Sequence, residues 1–152
     1  MKIFNIAVTN AIAMKDHAMN ILRKNHLSVT DSRCTILHMF LQNTNGAVRH
    51  SDIEQGIPGL DRVTIYRTLQ VFSEKGIIHS IPSLDGAVRY ALCHSGCEEG
   101  HHHDNHVHFV CSVCGVTQCL EEVNVPAVNV PAGYQAKQIE MVITGVCNRC
   151  RQ

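Results

Sequence analysis

Two Cys-x-x-Cys pairs constrain this chain more than any other feature: Cys111-Ser-Val-Cys114 and Cys147-Asn-Arg-Cys150, separated by residues 115–146. A tetrahedral Zn²⁺ takes four thiolates at about 2.3 Å, and a CxxC turn presents two of them on one side of the ion. Two such turns close the shell and leave no open position. The expected site is therefore structural, one Zn²⁺ per chain, and contributes folding energy rather than catalysis. Gly115, after the second cysteine, lets the turn pass through a left-handed conformation. Two disulfides or a redox-active CxxC are the rival readings. They fit less well, because the cysteines come as paired turns with a histidine cluster just ahead of the first, and in a reducing compartment that pattern reads as metal binding.

Charge and ligand-forming residues divide the 152-residue chain, whose formal net charge is zero. Residues 1–90 carry 10 Lys/Arg against 7 Asp/Glu, and residues 91–152 carry 3 against 6. Of the 8 cysteines all but Cys34 lie at or after Cys93, and six of the 11 histidines lie between His94 and His108. A mildly basic front half suits nucleic acid, and an acidic, Cys/His-rich back half suits cations. The 45% hydrophobic content is enough for a packed core. No stretch reaches the ~18 apolar residues of a membrane span, so no membrane partner is expected. The opening segment MKIFNIAVTNAIAM is a poor signal peptide, its apolar run broken by Asn5, Thr9 and Asn10. Residues 1–14 read as an N-terminal extension.

Helical periodicity dominates the front half. Residues 15–26 place Ala18, Ile21 and Leu22 on one face. Thr30 can cap a second helix with Ile36, Leu37, Phe40 and Leu41 on its apolar side. Ser51-Asp52-Ile53-Glu54 reads as a capping box, Ser51 at the N-cap and Glu54 three residues on, with Pro58-Gly59 closing that short helix. Asp61 can cap the next, which buries Ile65, Leu69 and Phe72 and stops at Gly76. The period then changes to two. Residues 77–81 and 87–92 read as strands joined by the turn signal Leu84-Asp85-Gly86. Helices followed by a β-hairpin are the order of a winged helix-turn-helix. Polar residues 93–105 read as a linker. Residues 107–111, 116–120 and 138–144 read as three further strands. Pro126 and Pro131 make a long helix between the last two unfavourable.

Two constellations extend this frame. His106-x-His108, at the start of a strand, puts both rings on one face and offers a pair of metal ligands. Cys93 at the end of the second wing strand and His79 in the first can join them in a mixed sulfur/nitrogen site between the two halves, with Cys119 as an additional candidate. Thiolate plus imidazole favours Zn²⁺ over Fe²⁺ or Mn²⁺. His101, His102 and His103 read as solvated loop residues and Cys97 as a small filler. The second constellation is residues 61–69, DRVTIYRTL. With Ile65 and Leu69 buried, Thr64, Arg67 and Thr68 are expected to face outward. Arg67 can read a guanine or grip phosphate, and Tyr66 can touch phosphate and a thymine methyl. Arg33, Arg49, Arg62 and Arg89 are further candidates for phosphate contacts. As the last helix before a hairpin, this segment reads as a recognition helix.

These residues together resemble the ferric uptake regulator (Fur) family. The matching pieces are Thr30-Asp31-Ser32-Arg33, the VTIYRTL run at 63–69, the hairpin, His106-x-His108 three residues before Cys111, and both CxxC pairs. The resemblance covers roughly residues 15–151. It implies an α+β protein: a winged-helix DNA-binding domain (15–92), a hinge (93–105) and a small α/β dimerisation and metal-binding domain (106–152) with the four-cysteine zinc site. It also implies a cytoplasmic, homodimeric, metal-responsive repressor acting on a double-stranded DNA operator. Ala47 and Ala91 stand where iron sensors of the family usually carry ligands. His79 and Cys93 instead look like the zinc uptake regulator (Zur) branch, whose Glu in the strand after CxxCG aligns with Cys119. Ile139 replaces the histidine of a further family site.

The leading expectation is zinc-sensing control of metal-uptake genes, with a second, regulatory metal held by His79, Cys93, His106 and His108. An iron or peroxide sensor of the same family is the nearest rival, with Fe²⁺ in that site. A zinc-storage protein is the rival from another class; it would need no recognition helix. A zinc hydrolase needs an open coordination position and a general base, and no HExxH-type helix or nucleophile motif is present, so no enzymatic activity is expected.

Overall fold

The computed structural model describes residues 15–43, 46–81, 86–93, 107–120, 122–123, 125–137 and 139–151. Residues 15–24 form helix α1, which buries Ala18 and Leu22 completely. It ends two residues earlier than its apolar spacing predicts. His26 takes φ 57°, and the N–H groups of His26 and Leu27 donate back to the carbonyls of Arg23 and Leu22 at 3.0 and 2.9 Å. This is a Schellman termination with a histidine in the left-handed position. Helix α2 (Asp31–Gln42) starts at Thr30, whose hydroxyl accepts the Arg33 N–H at 3.3 Å, and buries Cys34, Ile36, Leu37 and Phe40.

Strand β1 is only Val48–Arg49, and it displaces the expected cap of the next helix. Its pairing with residues 89–90 keeps the chain extended through Arg49, so helix α3 runs His50–Gly56 with Arg49 as N-cap. Asp52, not Glu54, is then the third helical residue, and its carboxylate accepts the Arg49 N–H at 3.0 Å. Ser51 lies inside the helix and does not cap it. Helix α4 (Arg62–Glu74) is capped as its sequence predicts: Asp61 accepts the Thr64 N–H at 2.9 Å and holds the Thr64 hydroxyl as well. Its buried stripe is Ile65, Thr68, Leu69 and Phe72. Thr68 therefore does not face outward as expected. The i, i+3, i+4, i+7 pattern of a helix packed on a core includes its position.

The wing strands are β2 (Ile78–Ile81) and β3 (Arg89–Leu92), antiparallel, with His79 opposite Ala91; β1 adds to the other edge of β3. Residues 82–85, which hold most of the predicted turn, lie outside the described residues. Strand alternation sends neighbouring side chains to opposite faces. Ile78 joins the helical core, with Tyr90 and Leu92 packed against it. His79, Arg89 and Ala91 take the other face, and all three are buried.

A second sheet covers that face. Strand β4 (Val107–Cys111) lies at its centre, antiparallel to β5 (Thr117–Leu120) and parallel to β6 (Met141–Gly145). The two sheets are tied by the Ala47 N–H, which donates to the Thr117 carbonyl at 3.2 Å. No helix occurs among the described residues between β5 and β6, as expected for a segment carrying Pro126 and Pro131. Val123, Val128, Val130, Tyr134 and Ile139 in that segment, with Ile143 and Val146 beyond it, expose large apolar side chains.

Candidate metal centres and nucleic-acid face

The four predicted zinc cysteines converge. Cys111, Cys114, Cys147 and Cys150 hold their sulfurs all within 4.8 Å of one another. Cys114 Sγ and Cys147 Sγ are 3.7 Å apart. A tetrahedron with Zn–S bonds of about 2.3 Å requires sulfurs about 3.8 Å apart, whereas a disulfide requires about 2.05 Å. The donor set fits zinc. Gly115 closes the first turn at φ 70°, and the Cys111 N–H donates to the Val116 carbonyl at 2.9 Å. The backbone N–H groups of Cys114 and Cys147 directed at the Cys111 sulfur lower its pKa to about 6. The neighbouring sulfurs of Cys114 and Cys147 push Cys150 up to about 12. One sulfur is thus prepared as a thiolate and another resists becoming one until a cation offsets the shared negative charge. A methyl group built on Gly115 would lie 3.2 Å from Arg49 Nη2 and 3.9 Å from Arg89 Nη2. The cysteine turn therefore sits against two arginines of the wing sheet.

A second cluster forms where the two sheets meet. His79 Nε2 and His108 Nε2 are 3.0 Å apart, and Cys119 Sγ is 3.7 Å from His79 Nε2. Tetrahedral zinc with Zn–N of about 2.05 Å and Zn–S of about 2.3 Å needs N···N near 3.3 Å and N···S near 3.6 Å. Both histidines are buried, 3% and 4% exposed, so the donors are shielded from competing water. Cys93 Sγ lies 3.5 Å from the other ring nitrogen, His79 Nδ1. Cys93 and Cys119 thus flank one imidazole from opposite nitrogens. A tautomer that donates Nδ1–H to Cys93 presents the Nε2 lone pair to the His108–Cys119 side. His106, predicted beside His108, lies outside the described residues, as do His101, His102, His103 and Cys97.

The prominence of Cys119 was within reach of the sequence. Once the knuckle turn pairs Cys111 with Val116, stepping three residues outward on each strand sets His108 opposite Cys119, and that is the observed register. Cross-strand partners on one face have Cβ atoms about 4.5–5.5 Å apart.

The predicted DNA-reading residues lie on the far side of the helical core. Tyr66 is 60% exposed and Val63 55% on the outer face of α4. Arg33, Thr64 and Arg67 line an open groove of about 650 Å³ between the start of α2 and α4. Arg33 also donates to the Ser28 carbonyl at 3.0 Å, and the Thr64 hydroxyl is engaged with Asp61. Arg62 is exposed but held by Glu54, Nε to Oε1 at 2.6 Å. That hydrogen bond, together with the Arg62 charge, keeps the Glu54 carboxyl below its ordinary range. Arg89 does not belong to this surface. Its side chain is buried between wing and second sheet, because its strand position has the parity of His79 rather than of the outward residues.

These features define a class: an α+β winged-helix protein whose wing is backed by a small sheet carrying two donor-atom clusters. The model of the ferric uptake regulator family matches residues 24–144, and the chain belongs to that family. Its members are metal-responsive transcriptional regulators and not enzymes. The Ferric uptake regulation protein of Staphylococcus aureus is 29% identical over 140 residues, covering 88% of this chain and 96% of that protein. Its counterpart in Staphylococcus epidermidis is 28% identical over 147 residues, covering 89% and 94%. Among solved structures, a zinc uptake regulator complexed with zinc and DNA superposes with a TM-score of 0.63 at 19% identity, covering 91% of this chain and 93% of that one. The Vibrio cholerae ferric uptake regulator gives 0.58 at 18% identity, covering 84% and 98%. No helix among the described residues is long and apolar enough to cross a membrane.

Proposed function

We propose that this chain is a cytoplasmic, homodimeric, zinc-responsive repressor that binds a double-stranded DNA operator controlling metal-uptake genes. The observation that carries the reading is the meeting of His79, on the wing, with His108 and Cys119, on the second sheet, at 3.0 and 3.7 Å. Residues 15–92 are the DNA-binding domain, 93–105 the hinge and 106–152 the dimerisation and metal-binding domain. Bound Zn²⁺ supplies a fixed tetrahedral centre for nitrogen and sulfur donors.

His79, with Cys93 at its other ring nitrogen, anchors the regulatory site to the wing, His108 anchors it to the second sheet, and His106 is a further proposed ligand. Residues so divided resist separation of wing and sheet when they share an ion. That favours the conformer whose two recognition helices match successive major grooves. Thr64, Tyr66 and Arg67 face DNA from α4, and Arg33 and Arg62 flank them for phosphate contacts. The apolar side chains exposed on β6 and the segment before it supply the face for the second protomer. Cys111, Cys114, Cys147 and Cys150 hold a structural zinc.

The likeness to a regulator solved with zinc and DNA supports this reading, as do the thiols around His79. The relatives named for ferric uptake favour Fe²⁺ in the same site as the second reading. The test is operator binding measured with Zn²⁺ or Fe²⁺ against chelator, for the parent chain and for His108→Ala and Cys93→Ser. The expected result is tighter DNA binding with Zn²⁺, lost in both variants, with the structural zinc retained. Normal zinc response in both variants, or a response to Fe²⁺ alone, overturns the zinc assignment.

A further inference from the structure

We propose that Cys119 is a direct ligand of the regulatory ion and makes the site selective for thiophilic cations, Zn²⁺ foremost, over Mn²⁺ and Fe²⁺. The proposal deepens the zinc-sensor reading and rests on it. Cys119 faces His108 across the β4–β5 ladder and reaches within 3.7 Å of His79 Nε2, the same nitrogen that lies 3.0 Å from His108 Nε2. The three donor atoms lie within 4.8 Å of one another, close enough to share one ion. A cysteine serving only as a small buried filler would pack against aliphatic groups. Here the sulfur meets an imidazole nitrogen.

Donor chemistry decides which ion is preferred. Imidazole accepts Zn²⁺, Cu, Fe and Ni, but thiolate adds a strong preference for Zn²⁺ and other soft ions, while Mn²⁺ prefers carboxylate and water. Burial adds a charge requirement. Two neutral imidazoles and one thiolate leave a divalent ion with a single net positive charge. Each unit of charge removed lowers the desolvation cost of an ion enclosed between two sheets.

The test uses the full chain with its four-cysteine site filled by zinc. Co²⁺ is titrated into the second site and read by thiolate-to-cobalt charge-transfer absorption; Zn²⁺ and Mn²⁺ are then competed against it. The parent chain is expected to take one further equivalent with the charge-transfer band. Cys119→Ser should weaken that band and lower Zn²⁺ affinity beyond the ~10–100-fold cost of losing a group that only orients a ligand. Its effect on Mn²⁺ should be smaller. Cys119→Asp, with a hard donor in place, should keep the second equivalent and move the preference toward Mn²⁺. It decides the matter if the serine variant loses its structural zinc or its fold. An unchanged band and unchanged Zn²⁺/Mn²⁺ preference in the variants overturns the Cys119 assignment while leaving the sensor reading intact. A parent chain that takes no second equivalent overturns the sensor reading itself.

Discussion

Cys114 and Cys147, on opposite sides of a long segment, hold their sulfurs 3.7 Å apart, the spacing of two corners of a zinc–thiolate tetrahedron and not of a disulfide. Replacing Cys114 by Ser is therefore expected to remove the structural zinc and lower the cooperativity and midpoint of thermal unfolding. Elemental analysis after dialysis against a moderate chelator should find one zinc per parent chain and less in the variant. Equal zinc content and equal melting in both would show that the cluster holds no structural ion.

Zinc affinity at this cluster should depend on pH with a break. Cys111 titrates at about 6, so above that pH it is already a thiolate and zinc displaces no proton from it. Cys150 titrates at about 12, so at neutral pH zinc must displace its proton. As pH falls below about 6, Cys111 becomes protonated as well, one more proton is released per zinc bound, and affinity falls more steeply. Competition with a colorimetric chelator across this range would show the change of slope; a constant slope would contradict the assignment of the low-pKa thiol to Cys111.

Gly115 is expected to be the least replaceable glycine of the second sheet. Its φ of 70° disfavours a side chain, and an added methyl would meet Arg49 Nη2 at 3.2 Å. Gly115→Ala should cost about 1–2 kcal/mol from the left-handed backbone alone. Gly115→Asn should cost less of this term, since asparagine tolerates that region. Thermal unfolding of the zinc-loaded variants would rank them; an alanine variant as stable as the parent would rule the strain out.

Arg67 and Arg62 should behave differently on DNA. Arg67 lines the groove beside α4, and its replacement by Ala should cost about 1–3 kcal/mol on the operator with relaxed specificity if it reads a base. Arg62, exposed and tied to Glu54, should contribute phosphate contact only. Arg62→Ala should weaken operator and random DNA alike and reduce the salt slope. Binding isotherms on both DNAs at two salt concentrations would separate the roles; a uniform loss for Arg67→Ala would make it a phosphate contact too.

Much of the fold was legible because its signals are local. The stripe of Ile65, Leu69 and Phe72, the Thr30 and Asp61 caps, the change of period after Gly76 and the CxxCG knuckle each act over a few residues. The cap of α3 departs from its local signal because two residues of β1 pair with β3 far along the chain. Pairing with Tyr90 and Arg89 keeps Val48 and Arg49 extended, and no periodicity over two residues announces that. Thr68 is polar yet lies on the buried face, because helix geometry puts it beside Leu69.

The amino-acid sequence alone determined the inventory: a winged helix-turn-helix, a knuckle sheet, four cysteines spaced to hold a metal ion and a reserve of His and Cys donors. Short-range sterics, capping and thiolate chemistry operate at fixed spacings along the chain, so that inventory can be read directly. Only the tertiary structure decided which donors meet. The outer face of the wing is buried by the second sheet, and this encloses Arg89, brings His79 to His108 and Cys119, and sets Cys93 at the opposite nitrogen of the same ring. Sheet docking depends on complementary faces far apart in the chain, and strand parity leaves two faces open until packing selects one.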